Sequence, residues 1–103
     1  MTIKDIKNRN KAAGLHFFSP ATTRFFRSRY GRTVYEGPGG IYFLTSEQFE
    51  WGWGRIKGAR LYTVRRFNPE TGAVGTAGAF NKLGKVKAVQ VAKCFARGES
   101  YGA

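Results

Sequence analysis

Leu61-Tyr62-Thr63-Val64-Arg65-Arg66-Phe67-Asn68-Pro69-Glu70-Thr71-Gly72 decides how this chain is read. Residues 60–67 are rich in aromatic and β-branched side chains, which fit a pleated, half-buried surface. Alternation sends Tyr62, Val64 and Arg66 to one side and Leu61, Thr63, Arg65 and Phe67 to the other. Asn68 to Gly72 then carries turn chemistry at nearly every position. A strand followed at once by a tight connection predicts an antiparallel neighbour, and 73–80 reads as that neighbour. Its glycines, Gly75 and Gly78, point to a bulge or a close backbone approach.

Outward from this hairpin the pattern continues in both directions. Gly37-Pro38-Gly39-Gly40 is a turn between β-prone residues 33–36 and 41–45, so a second hairpin precedes the first. The glycine-rich stretch 47–59, with Trp51, Gly52, Trp53 and Gly54 followed by Arg55 and Lys57, reads as a loop. Residues 85–97 read as a helix: Ala88, Val89, Val91, Ala92, Phe95 and Ala96 fall in one arc, with Lys87, Gln90, Lys93 and Arg97 opposite. Gly98 suits the C-terminal cap. Ser19-Pro20 opens a short helix over 21–29, with Ser19 as cap and Pro20 at the first helical position, and Gly31 ends it. Residues 1–13 form a basic arm or a weak helix, with Ile3 and Ile6 at helical spacing. Residues 14–98 make a single domain, and 99–103 form a frayed tail.

The expected architecture is α+β: an antiparallel sheet of three to four strands flanked by an N-terminal and a C-terminal helix. One face of the sheet packs on the helices. The other, bearing arginines of 60–67, is expected to stay open.

Composition limits the chemistry. The chain has 103 residues, enough for one core but not two. Its 18 Lys and Arg against 6 Asp and Glu leave a formal net charge of +12, which steers anions and recruits polyanionic partners. With Cys94 as the single cysteine, no internal disulfide forms, and with His16 as the single histidine a zinc site is not expected. Acid–base work needs a histidine or paired carboxylates, and most of the few acids lie in turns: Glu36, Glu47, Glu50 and Glu70. A Cys94–His16 nucleophile pair is the one conceivable exception. Gly37 to Gly40 lacks the Lys-Ser/Thr of a phosphate loop. No segment reaches the length of apolar residues that spans a bilayer, and 1–11 lack a signal-peptide core. The expectation is therefore a non-enzymatic module with no cofactor and no metal, in a bacterial or virus-infected cytoplasm or an equivalent soluble compartment.

Four basic constellations are candidates for binding. Arg24, Arg27, Arg29 and Arg32 interleave with Phe25, Phe26 and Tyr30, and arginine presents a planar fork of donors suited to phosphate. Trp51 and Trp53 precede Arg55, Lys57 and Arg60, an arrangement in which bases stack on rings while phosphates pair with charges. Arg65 and Arg66 lie on opposite faces of one strand, so one of them needs an acidic partner: Glu47, Glu50 or Glu70. Lys85 and Lys87 open the last helix.

The phrases Phe18-Ser19-Pro20-Ala21-Thr22-Thr23-Arg24-Phe25-Phe26-Arg27-Ser28-Arg29, Gly40-Ile41-Tyr42-Phe43-Leu44-Thr45-Ser46-Glu47 and the quoted hairpin are similar to a family of small uncharacterised proteins. That family occurs in bacteriophages and bacterial mobile elements. The resemblance covers roughly 13–96 and implies an accessory protein of such an element. It assigns no activity and no catalytic residue. Proteins of that kind bind the element's nucleic acid, DNA or RNA, or inhibit host defences such as CRISPR effector complexes. The expected partner is thus nucleic acid, or else an acidic or nucleic-acid-binding protein complex.

Overall fold

The computed structural model describes residues 1–19, 29–51, 56–78 and 80–101, with the backbone alone at 29–30, 49–51 and 56–59. Helix α1 spans Ile3–Ala12, followed by strands β1 (Arg29–Gly37), β2 (Gly40–Trp51), β3 (Ile56–Phe67) and β4 (Val74–Thr76), and helix α2 spans Lys85–Ala96. The strands form one antiparallel sheet in the order β1-β2-β3-β4. The α+β architecture expected from the sequence is the one observed, with a helix at each end of the chain.

Several local expectations change. The stretch 47–59 is not simply a loop: β2 runs on to Trp51 and β3 begins at Ile56, with Glu50 opposite Lys57 and Trp51 opposite Ile56. A register shift between Gln48 and Glu50 absorbs one extra residue of β3, so that Phe49 alone opposes Gly58 and Ala59. Glycine lets a strand bulge without ending it, which is why the composition alone suggested a loop. The helix expected over 21–29 lies outside the described residues except for Arg29, which begins β1, and Gly31 is a strand residue rather than a cap. Strand β4 is shorter than 73–80. Beyond Thr76 the chain still follows β3, through Ala77 N–H to Val64 O (2.9 Å), Val64 N–H to Phe80 O (3.0 Å) and a two-bond bridge between Tyr62 and Leu83. Near the end of the chain the ring of Tyr101 meets Phe80 edge-on at 5.8 Å.

A helix packs on each face of the sheet, where one face was expected to stay open. On one side Tyr42, Leu44 and Val64 pack against Ala88, Val91, Ala92 and Ala96 of α2. On the other, Ile41, Phe43 and Phe67 pack against Ile6 of α1, with Phe17 and Phe18 alongside. Phe18 stacks on Phe43 at 5.9 Å and Phe17 meets it edge-on at 6.2 Å. Helix α1 is nucleated by a capping box, with Asp5 N–H donating to Thr2 Oγ1 and Thr2 N–H donating to Asp5 Oδ2 at 2.9 Å. Its buried Asn10 donates to Gly72 O at 2.9 Å, tying the helix to the β3–β4 turn.

Arg65 belongs to this second face. Its Nε donates to Thr45 Oγ1 (3.0 Å), Nη1 to Thr76 Oγ1 (2.7 Å) and Nη2 reaches Glu47 Oε1 (3.5 Å). The guanidinium also lies 5.2 Å from the centre of the Phe17 ring. Burial lowers its pKa from the ordinary value, and the charge of Glu47 opposes that shift. Arg66, its exposed neighbour, points to the other side.

The Gly37-Pro38-Gly39-Gly40 turn holds the C-terminal end of α2. Gly39 N–H donates to Ala96 O at 3.0 Å, and Gly98, with φ of 84°, closes the helix. A Cβ at Gly37 or Gly39 would overlap the carbonyl oxygen of Ala96 or Phe95.

These contacts set measurable stabilities. Gly39→Ala should lower stability by about 1–3 kcal/mol in urea denaturation, the cost of overpacking a close approach. Gly75→Ala, where a Cβ meets open space, should change it far less. Arg65→Ala removes three hydrogen bonds and leaves the Glu47 carboxylate uncompensated, costing about 1–3 kcal/mol because both groups keep some exposure to solvent. Arg66→Ala should stay within about 0.5 kcal/mol. Hydrogen bonds from Thr2 hold the Asp5 carboxyl below its ordinary 3.8, so its contribution is complete above that pH and is lost as pH falls through the lower folded value. Asp5→Asn should therefore lower the melting temperature at neutral pH but not below the carboxylate range.

Candidate functional site

The site arises from a mismatch of lengths. Strands β2 and β3 each have 12 residues and so run about 40 Å, whereas the 12 residues of α2 cover about 18 Å. Because the glycine turn anchors the C-terminal end of α2, its N-terminal end stops partway along the strands. There the α2 face of the sheet opens into a cleft of roughly 360 Å³.

Three cations from three elements line this cleft: Arg32 of β1, Arg60 of β3 and Lys85 of α2. Arg32 stands in a bulge. Tyr30 pairs with Thr45 and Val34 with Phe43, so Gly31, Arg32 and Thr33 together oppose Leu44 alone. A bulge at a sheet edge re-aims a side chain that regular pleating would commit to one face. Arg60 shares its side of β3 with Tyr62 and Val64, and its Nη1 donates to Ser46 Oγ (3.0 Å) and Ser46 O (3.2 Å). Those bonds orient the guanidinium without neutralising it. Lys85 is the first residue of α2. Gly84 before it offers no side-chain cap and the first turn holds no acid, so the positive end of the helix dipole adds to the lysine. Tyr35 and Tyr62 supply rings to the walls, and Leu44 and Val89 supply apolar surface. Among the described residues that line the cleft, none is acidic.

Of the thirteen residues singled out in the sequence, those that are described do not form one patch. Arg32, Arg60 and Lys85 meet in the cleft. Arg29 pairs with Ser46 in the register, at the level of the cleft. Lys87 is exposed on the first turn of α2. Arg66 lies toward the far end of β3, against Gly40 and Gly75. Arg65 is on the opposite face and is consumed by Glu47, Thr45 and Thr76, so it serves the fold. Trp51 and Lys57 stand at the paired ends of β2 and β3, and Arg24, Arg27, Trp53 and Arg55 lie outside the described residues. Tyr35, Tyr62 and Ser46 were missed as site residues. The parity of β3 was the available signal, since it sets Tyr62 on the same side as Arg60.

The one nucleophile pair the sequence offered is not assembled. His16 lines a pocket beside α1 with Lys7 and Lys11, while Cys94 lies buried on α2 with Glu99 as its neighbour. The sheet separates the two, so they form no nucleophile pair. Among the described residues no cluster of His, Cys, Asp or Glu has the make-up of a metal site. Also among them, no helix is long and apolar enough to cross a membrane.

Comparison with known proteins adds a family but no activity. No curated protein and no solved structure matches the chain. Residues 2–93, which include both helices nearly complete and the entire sheet, match the model of DUF7447, a family of unknown function, and the chain belongs to that family.

Proposed function

We propose that this protein is a non-enzymatic binding module that holds nucleic acid through the Arg32–Arg60–Lys85 cleft and the basic surface around it. The observation that carries the reading is the convergence of three cations from separate elements on one recess whose described lining has no carboxylate. Like charges brought together repel, and a fold gains nothing from the arrangement. A phosphate offsets that repulsion, because arginine forks and a lysine point charge match its oxygens. The net charge of +12 supplies the long-range field that draws a polyanion toward the cleft. By the same reading, the resemblance carried by 18–29, 40–47 and 61–72 makes the chain an accessory protein of a phage or mobile element, at work in a bacterial cytoplasm.

Fluorescence anisotropy with short labelled DNA and RNA tests this. Affinity should fall steeply between about 0.05 and 0.2 M salt as bound phosphates release counterions. Replacing Arg32, Arg60 and Lys85 by Gln should weaken binding and flatten the salt slope by about one for each phosphate no longer neutralised. Absence of binding to any nucleic acid at low salt would sink the reading. Recovery of a stoichiometric protein complex free of nucleic acid would select instead an inhibitor of a host defence complex.

A further inference from the structure

We infer that the cleft receives one unstacked nucleotide of a single-stranded nucleic acid, its phosphate on Arg32, Arg60 and Lys85 and its base against the rings of Tyr35 and Tyr62. The inference rests on the polyanion reading above and narrows it to a strand type.

The make-up of the recess is the first ground. A surface that only tracks phosphates needs exposed cations, and Lys87 and Lys93 on the outer side of α2 already provide those. The cleft is different. Its cations share walls with two tyrosine rings, and Leu44 and Val89 give it an apolar lining. Charge beside flat apolar surface matches a nucleotide, which joins a charged phosphate to an aromatic base. Tyr35 and Tyr62 come from β1 and β3, the two strands that flank β2, so the rings stand on either side of the Leu44 strand. Both pack partly into the α2 core, which holds them in place before a ligand arrives.

Size is the second ground. At roughly 360 Å³ the recess is near the lower end of ligand-sized clefts, about 300–1,000 Å³. That is room suited to one nucleotide unit rather than to a stacked base pair. A single strand presents such a unit without penalty, because its bases splay freely. A duplex must first break a pair and unstack the base, which costs roughly tenfold to a hundredfold in affinity. The described lining contains no Asn, Gln, Asp or Glu to read a base edge, and the hydroxyls of Thr33 and Ser46 can pair with donors and acceptors alike. Discrimination between bases should therefore be weak.

The test compares labelled single-stranded DNA, single-stranded RNA and duplex DNA of equal length with the full chain by anisotropy at one salt concentration. At least one single strand should bind roughly tenfold or more tighter than the duplex, and the DNA and RNA arms tell which sugar the cleft accepts. Tyr35→Leu keeps an apolar side chain and removes the ring. Arg60→Gln keeps a donor for Ser46 and removes the charge. Each should bring single-strand affinity down toward that of the duplex, with circular dichroism confirming an unchanged fold. Equal or tighter duplex binding overturns this inference while leaving the polyanion reading intact. A single-strand preference that survives both variants undiminished also overturns it, because the preference then arises elsewhere. Failure of every nucleic acid to bind at low salt overturns both.

Discussion

The alternation of β3 is the constraint on which the rest depends. This strand is internal, paired with β2 on one side and β4 on the other, so both of its faces must find cover. Val64 is fully buried under α2, and Phe67 is 1% exposed on the α1 side. A shift of one residue in register would exchange every side chain between the two cores. It would put Arg65 under α2, where Ala88, Val91 and Ala92 offer no acid. The observed register instead places Arg65 within reach of Glu47. The two small cores therefore depend on one alternation, and so does the separation of the structural arginine from Arg60.

What happens on the α2 side follows from where that helix is held. The glycine turn grips its C-terminal end, and no side chain at Gly37 or Gly39 comes between. Its N-terminal end is tethered by the Tyr62–Leu83 bridge, just ahead of Lys85. The helix therefore ends over the middle of the strands, and the sheet continues past it. The bulge in β1 brings Arg32 to the same place. The cleft is thus the product of helix length, helix anchoring and one strand irregularity. Each of these is a backbone property, and none depends on the cations that line the recess.

This explains which parts were legible in the sequence. Strand β3 and helix α2 carry strong periods, two residues and 3.6 residues, over most of their length, and they are found close to where those patterns put them. Gly98 caps α2 as its chemistry suggests. The paired ends of β2 and β3 were not legible, because glycine there suppresses the β signal while the ladder continues through a bulge. Nor was the covered second face. Helix α1 offers only Ile3 and Ile6, too little apolar surface to announce a docked helix, and Phe17 and Phe18 complete the cover from a segment without regular structure. Arg32, Arg60 and Lys85 could each be named as basic. Their meeting could not, since it requires the bulge and the direction in which α2 runs.

Arg60 and Arg65 show two treatments of the same charge on one strand. Arg65 is enclosed between a sheet and an aromatic ring, and the fold supplies an acid, two hydroxyls and a π face to hold it there. Taking a cation out of water without such partners costs several kcal/mol, so its donors are turned toward acceptors. Arg60 is half-buried as well, yet its partners among the described residues are the hydroxyl and carbonyl of Ser46, which direct the guanidinium and leave its charge in place. Two further cations stand in the same cleft. The chain has only 6 acids, and one of them, Glu47, lies next to Ser46 on β2. Strand parity turns it to the other face, where it meets Arg65. The acid nearest in sequence thus neutralises the structural arginine, and among the described residues none neutralises the charge beside Ser46, which on the proposed reading meets an anion from outside.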